Sequence, residues 1–454
     1  MPTVPTRDLD LMRSRVTSLS KLLNLIVPIP DDWVEEGATT PSSEDDGQLP
    51  CKKCEKYDTL IGAWRKALKW TDGLDSSLSV MLASIVSVKS VGDQLWIKII
   101  GPAACGKSTL CEAVSVNRKY VLAKSTIRGF HSGWREGGGG EEGEDSSLVA
   151  QLYNKTLVTK DGDTLLQSPN LGQILAEARD LYDSTSRTHY RNAMSKDYSG
   201  VRMTWLLCGT SSLRSIDESE LGERFLDCVI MDGIDDELEE EVLWRVVNRA
   251  ERNMSVEADG SPEKNYEPEL AEAMMLTGGY VGWLRENSVD VLSKIKASEA
   301  VLRRCTRLGK FVAFMRARPS TRQDETAERE FAARLVSQHI RLAKCLAAVM
   351  NRSTVDEEVM RRVLKVCLDT SRGQTLDIVH VLYEGGDEEG TEPRALSLYT
   401  SQTESQTRGL LRFLKRIEVV ETFKGKSRSK GMANRARWRL TSKVKELYGQ
   451  VYEV

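Results

Sequence analysis

No stretch of this chain approaches the run of about eighteen apolar residues that a membrane-crossing helix requires, so the sequence predicts no membrane partner. Histidine is scarce, with four in 454 residues, and cysteine is sparse at nine. That count is odd and low for the length, which excludes a disulfide scaffold and predicts a reduced, cytoplasmic setting. Cys51-Lys-Lys-Cys54 has metal-ligand spacing, but a zinc site needs four ligands. Neither a second close cysteine pair nor a matched histidine pair follows it. A structural or incidental role is therefore the expectation for Cys51 and Cys54. An excess of either charge is also missing: 64 basic residues face 67 acidic ones, for a net charge of −3. This balance excludes a uniformly basic nucleic-acid coat. At the N-terminus acids precede any apolar core, so no secretory signal is expected there. What remains, 40% hydrophobic and 29% charged, is the composition of an ordinary folded protein of two or three domains.

Residues 11–26 carry apolar side chains at three- and four-residue steps, which predicts an amphipathic helix ended by Pro28 and Pro30. Residues 31–50 are acidic and rich in Ser, Thr, Gly and Pro, as a linker would be. Helix is expected from Tyr57 to Ser90, with a break near Thr71-Asp72-Gly73. Four strands are predicted, at 94–100, 120–123, 156–160 and 203–208, with a helix over 171–182. Strands alternating with helices point to a mostly parallel sheet covered on both faces. The glycine- and acid-rich segment 136–145 buries almost nothing and reads as a surface insertion. Further helices are expected over 234–305, 325–349 and 354–370. The resulting division is a helical segment (1–30), a linker (31–50), a small helical region (51–75), an α/β core (76–233), a helical block (234–370) and a C-terminal domain (371–454).

Gly101-Pro102-Ala103-Ala104-Cys105-Gly106-Lys107-Ser108-Thr109 fits the phosphate-loop pattern G-x-x-x-x-G-K-S and lies between a predicted strand and a predicted helix. Its glycines let backbone amides curl round a polyphosphate, and the helix N-terminus supplies further donors. Lys107 would reach the β and γ phosphates of ATP, and the Ser108 hydroxyl would hold Mg2+. Cys105 inside the loop predicts sensitivity to thiol reagents. Hydrolysis also needs acids at a neighbouring strand end. Thr156-Leu-Val-Thr-Lys-Asp161-Gly-Asp163 offers Asp161 as the metal-ordering residue, and a polar turn ending a strand is the plainer alternative. Position 162 is Gly where an adjacent Glu would be usual, so the base is left to Asp163, Glu177 or Asp180. Thr210, after the fourth strand, can touch the γ phosphate or the attacking water. Arg224, in Glu220-Leu-Gly-Glu223-Arg224-Phe225, can stabilise charge in a neighbouring subunit's site, or serve as a core-edge salt bridge.

Taken together, these residues resemble the AAA+ ATPases over about 76–305, in the order phosphate loop, acidic strand end, polar fourth-strand residue, arginine and helical lid. GPAACGKST, LVTKDGDTLL, ILAEARDLYD, LLCGTSSLR and LGERFLD are similar to a group of phage and mobile-element ATPases placed with replication helicases, with minichromosome-maintenance-like C-terminal features. The resemblance implies an α/β fold: a P-loop ATPase core with a helical lid, a helical N-terminal region and a C-terminal winged helix. It implies Thr210 at the sensor-1 position, Arg224 as the arginine finger, and Arg285 or Arg334 as sensor 2. It further implies a homo-oligomer, most often a hexameric ring, in the cytoplasm of a bacterial or phage-infected cell, with replication proteins as partners.

From Arg408 to Lys445 there are thirteen basic residues against Glu418 and Glu421. A helix over 401–415, strands over 417–422 and 436–441, and the basic loop 424–431 predict a winged helix touching DNA phosphates. Its salt sensitivity would be marked, although such wings also bind proteins. The segment 188–202 mixes Arg191, Lys196 and Arg202 with Tyr190 and Tyr198, a composition suited to gripping single-stranded DNA from a ring channel, or to an ordinary surface turn. The sequence thus predicts an ATP-driven motor on single-stranded or duplex DNA. An ATP-switched initiator, helicase loader or transposition regulator is the second reading, and a protein-remodelling ATPase the third.

Overall fold

The computed structural model describes residues 49–132, 145, 147–189, 195–218, 224–230, 236–253, 266–317, 331–385, 390–424 and 436–452. The chain divides after Gln48, and all of these residues belong to the unit Leu49–Val454. The helix expected over 11–26, the linker expected over 31–50 except for Leu49 and Pro50, and most of the glycine-rich insertion lie outside the described residues.

In chain order the first elements are α1 (Tyr57–Ala67), α2 (Asp72–Val86), β1 (Trp96–Ile100), α3 (Lys107–Ser115), β2 (Val121–Lys124), α4 (Leu148–Gln151) and β3 (Lys155–Thr159). Then come α5 (Gly162–Leu166), α6 (Leu171–Tyr182), β4 (Thr185–His189), β5 (Ser195–Ser199), β6 (Met203–Gly209) and β7 (Phe225–Val229). A helical block follows: α7 (Asp236–Asn253), α8 (Pro268–Glu286), α9 (Ser288–Lys294), α10 (Glu299–Met315), α11 (Ala333–Val349), α12 (Glu357–Ser371) and α13 (Gln374–Glu384). The C-terminal elements are α14 (Pro393–Tyr399), α15 (Glu404–Arg416), β8 (Val420–Lys424), β9 (Ala436–Leu440) and α16 (Ser442–Tyr452). No helix among the described residues is long and apolar enough to cross a membrane.

Local chemistry starts many of these helices. Thr71 caps α2 by accepting from Leu74 N at 3.2 Å, and Ser298 and Asp356 cap α10 and α12 in the same way. A reciprocal capping box, Thr403 with Gln406, opens α15, and Pro268 and Pro393 stand at the first turns of α8 and α14.

The central sheet is five-stranded and parallel, in the order β2-β3-β6-β1-β7. Four of its strands, β1, β3, β6 and β7, are buried on both faces, as helices on either side require, while the edge strand β2 is only partly buried. One face presents Ile97, Ile99, Leu206, Cys208, Leu226 and Cys228 to the core that includes α2 and α3. The other presents Trp96, Leu157, Trp205, Leu207 and Phe225 to the core that includes α6. There Trp96 meets Trp205 edge-on at 5.5 Å, and the Trp205 indole N–H donates to Thr159 Oγ1 at 3.0 Å.

The sequence pattern finds four of the five strands and misses β7. Asp227 interrupts its apolar run, but the register sets Asp227 opposite Lys98 of β1. Their buried side chains pair at 3.1 Å, so each charge is compensated by the other. The helical block is packed onto this edge: Asp369 of α12 accepts from Val229 N at 2.8 Å, and Thr370 Oγ1 accepts from Asp227 N at 2.9 Å. Farther along, α8 crosses the segment Cys51–Cys54 so closely that a Cβ at Gly279 would lie 1.8 Å from Lys52 O. The Gly278-Gly279 pair is a packing device of that crossing.

In the C-terminal piece β8 and β9 form an antiparallel pair, with Val420 opposite Leu440, and Thr391 bridges Trp438 on the other side of β9. Against α10, Tyr448 and Tyr452 of α16 stack on one another beside Phe311. All of the predicted basic loop 424–431 except Lys424 lies outside the described residues.

Candidate functional site

The loop between β1 and α3 carries the phosphate-loop pattern at the C-terminal end of the central strand. Gly106, the residue before α3, has φ +92°, where a side chain would be strained, and a Cβ there would also press on Leu74 at 3.1 Å. Ala104 adopts φ 61° as well, so the loop turns sharply into the helix. No side chain caps α3, which leaves the amides of its first turn directed at the loop. Lys107 donates to Gly101 O at 2.7 Å and to Pro102 O, and its Nζ lies 3.6 Å from Cys105 Sγ. Ser108 is exposed beside it. Uncapped amides, a lysine and an exposed hydroxyl are the donor set that a polyphosphate with a divalent cation requires, and Pro102, Ala103 and Ala104 leave that mouth open to solvent.

Because β6 lies between β1 and β3, its polar end is flanked by the lysine on one side and the acids on the other. Thr210 donates to both oxygens of Asp163, from its backbone N at 2.9 Å and from its hydroxyl at 3.0 Å. The Ser212 hydroxyl also donates to Asp163. Burial raises the Asp163 pKa, but the hydrogen bonds from Ser212 and Thr210 and the charge of Lys107 outweigh it, and the net shift is downward. Asp161 is exposed and caps α5 instead, accepting from Thr164 N at 3.2 Å and from the Thr164 hydroxyl. Glu177 is held by Phe130 N at 2.8 Å and by Gln173, while Asp180 is exposed on α6. Of the candidate acids, the structure joins Asp163 to Thr210, and the charge of Lys107 acts on it.

The arginines fall elsewhere. Arg285 is fully buried at the opposite end of the sheet, donating to Ile85 O at 3.1 Å and to Asn154 O at 2.6 Å. These carbonyls lie at the C-terminus of α2 and just before β3, so in this structure Arg285 packs inside the fold, away from the β1–α3 loop. Arg224 immediately precedes β7, also at the N-terminal end of the strands. It pairs with Asp183 at 3.2 Å and lies over the Tyr182 ring at 5.3 Å. Arg334 of α11 approaches the same ring at 5.9 Å. Gln338, one turn on, donates to Arg224 O at 2.8 Å and to Tyr182 OH at 3.1 Å. Burial lowers the Arg224 pKa, with Asp183 opposing and Arg334 adding to the effect. Arg224 and Arg334 thus form one basic cluster, at the opposite end of the sheet from the β1–α3 loop.

No protein-family model matches the chain, and no curated protein does so significantly.

The hairpin β4–β5 does not present its cation and tyrosine outward. Lys196 and Tyr198 are buried and donate to Asp145, with Lys196 also reaching Ser147 Oγ at 2.9 Å. Arg202 donates to Ser90 O and to Gly92 O. All three serve packing, while Tyr190 and Arg191 lie outside the described residues. In the C-terminal piece, Arg408, Arg412, Lys415 and Arg416 are exposed along α15, with Arg408 tied to Glu404. Arg439 pairs with Glu421 across the β8–β9 register at 2.6 Å.

Two features escape sequence reasoning. Arg214 lies 3.7 Å from Asp227 and 3.4 Å from Asp369 O, linking the segment after Thr210 to the buried charges under α12. A lone arginine in the polar run after Thr210 is its only signal. The buried thiols of Cys111 and Cys208 meet at 3.0 Å between α3 and β6. They stand 97 positions apart, and nothing in the sequence joins them.

Proposed function

We propose that the chain is an oligomeric AAA+ ATPase that couples ATP hydrolysis to translocation on, or unwinding of, DNA, as a replication helicase of a phage or mobile element would. The observation that carries this reading is the convergence of Lys107, Thr210 and Asp163 beside the uncapped first turn of α3. In this reading the amides of 101–109 and Lys107 bind the phosphates of ATP, and Ser108 holds Mg2+ together with Asp161 or Asp163. Thr210 orients the γ phosphate or the attacking water. Arg224 and Arg334, clustered far from their own loop, stabilise charge in a neighbouring copy's site. The α15 face and the β8–β9 hairpin act as a winged helix on DNA phosphates.

The second reading, an ATP-switched initiator or loader without processive unwinding, is favoured by one observation. Asp163 is held by three donors and its pKa is lowered, so it is a weak proton acceptor, and position 162 supplies Gly rather than Glu.

The test is ATP hydrolysis without DNA, with single strands and with duplex, recording assembly mass in the same samples. A DNA motor gives DNA-stimulated turnover in an oligomer, lost in both Lys107→Ala and Arg224→Ala. Assembly on ATP with little turnover selects the switch. Turnover indifferent to DNA rejects both DNA readings and leaves protein remodelling. Where DNA binds, the logarithm of its affinity should fall linearly with the logarithm of salt concentration.

A further inference from the structure

Helix α7 is unusual among the described helices. Between its acidic start and its end, Leu243 (55% exposed), Trp244 (60%), Val246 (52%) and Val247 (47%) all face solvent. A tryptophan and three aliphatic side chains on one exposed helix form a contiguous patch of the kind that marks an interaction surface. The first turns of the same helix carry exposed Glu237, Glu239, Glu240 and Glu241.

A groove of complementary character lies elsewhere on the molecule. It encloses about 470 Å³ between α9 and α11, with Leu292, Ala333, Val336 and Ile340 in its wall and Arg341 and Lys344 among its lining residues. Val289, 55% exposed on α9, extends its apolar rim. Arg334, with its charge, stands on the same helix. An apolar, acidic ridge therefore has a counterpart in an apolar, basic groove.

The two surfaces cannot meet within one chain, because they occupy opposite ends of the sheet. The ridge follows the C-terminal end of β7, and Lys69 pairs with Glu241 at 2.5 Å, next to the α2 N-terminus that packs under Gly106. At the groove, Arg341 donates to Ser90 O at 3.1 Å and to Val91 O, ahead of β1. We infer that α7 of one copy docks in the α9–α11 groove of the next. Such a contact is head-to-tail, so it propagates into a ring or a filament. It also brings the end of the molecule bearing Arg224 and Arg334 toward the end bearing the neighbour's phosphate loop. That consequence rests on the reading of those arginines given above, whereas the docking itself rests on shape and charge alone.

The test uses the full chain, with mass measured against concentration by sedimentation, with and without ATP and Mg2+. Trp244→Asp damages the ridge. Ala333→Asp with Lys344→Glu damages the groove, and an aspartate in the first turn of α11 suits the helix dipole, so the fold is kept. Each should weaken self-association about 30-fold or more, as loss of a buried anchor does. Mixed in equal amounts, the two variants should form one-to-one pairs, because each retains one intact face. Variants that assemble like the unmodified chain, a mixture that stays monomeric, or an unmodified chain that is monomeric under every condition would each overturn the docking. Rescue by mixing in a chain that hydrolyses no ATP removes the ATPase reading and keeps the docking. Hydrolysis by an assembly indifferent to both variants does the reverse.

Discussion

Asp163 and Asp161 stand two positions apart, yet their surroundings assign them different work. Both follow β3, and the pattern alone ranks Asp161 first because it comes directly at the strand end. In the fold Asp161 spends its oxygens on Thr164 as a helix cap, while Asp163 turns to Thr210, Ser212 and the charge of Lys107. On the ATPase reading proposed above, substituting Asp163→Asn should lower ATP turnover by about 100-fold, through loss of the carboxylate that orders the water or metal. Asp161→Asn, which retains a good cap residue, should change stability by only a few tenths of a kcal/mol and leave most turnover intact. Steady-state hydrolysis by the two purified variants decides between them, and the reverse ranking would restore Asp161 as the principal acid. Lys107 was legible because a phosphate loop is contiguous in sequence. The contact between Asp163 and Thr210 was not, because it joins positions 47 apart through a sheet order that the sequence does not state.

At the scale of elements, β7 shows how a fold tolerates what a pattern rejects. An aspartate in the middle of a buried strand argues against the strand, and so does a lysine in β1, until the two are set in register. Their carboxylate and ammonium are 4% and 0% exposed, so removing either one strands the other out of water. Asp227→Ala should cost about 3 kcal/mol of stability, seen as a drop in the denaturant midpoint. The double change Lys98→Met with Asp227→Leu should recover most of that loss, since a packed apolar pair replaces a buried ionic one at little net cost. A double variant no more stable than Asp227→Ala would show that Arg214 and the α12 contacts, not the pair itself, govern this edge. Helix starts, by contrast, are local, and Thr71, Ser298, Asp356 and Thr403 announce them in sequence.

On the scale of the whole molecule, acid stability has an identifiable contributor in His339. It is fully buried on α11, with Nδ1 donating to Leu335 O at 2.6 Å. Burial lowers its pKa to about 4, the Leu335 carbonyl opposing and Arg316 adding to the shift. The unfolded chain takes up this proton first, near the ordinary histidine value of about 6.5. The contribution is therefore complete above pH about 6.5 and is lost as pH falls toward 4, by about 3 kcal/mol in all. Unfolding titrations of the chain and of His339→Asn across that window should differ in slope, and parallel curves would remove His339 from the account. Composition, periodicity and the contiguous phosphate loop by themselves determined an α/β core with a parallel sheet, most helix positions and the place of Lys107, since each depends on neighbours within a few residues. Tertiary structure alone decided that Asp163 joins Thr210, that Arg285 is walled into the core, that Arg224 meets Arg334 over Tyr182, and that Lys196 and Tyr198 face inward. Those outcomes depend on strand order and on which helix covers which edge, and they are settled by burial and charge compensation among residues far apart in the chain.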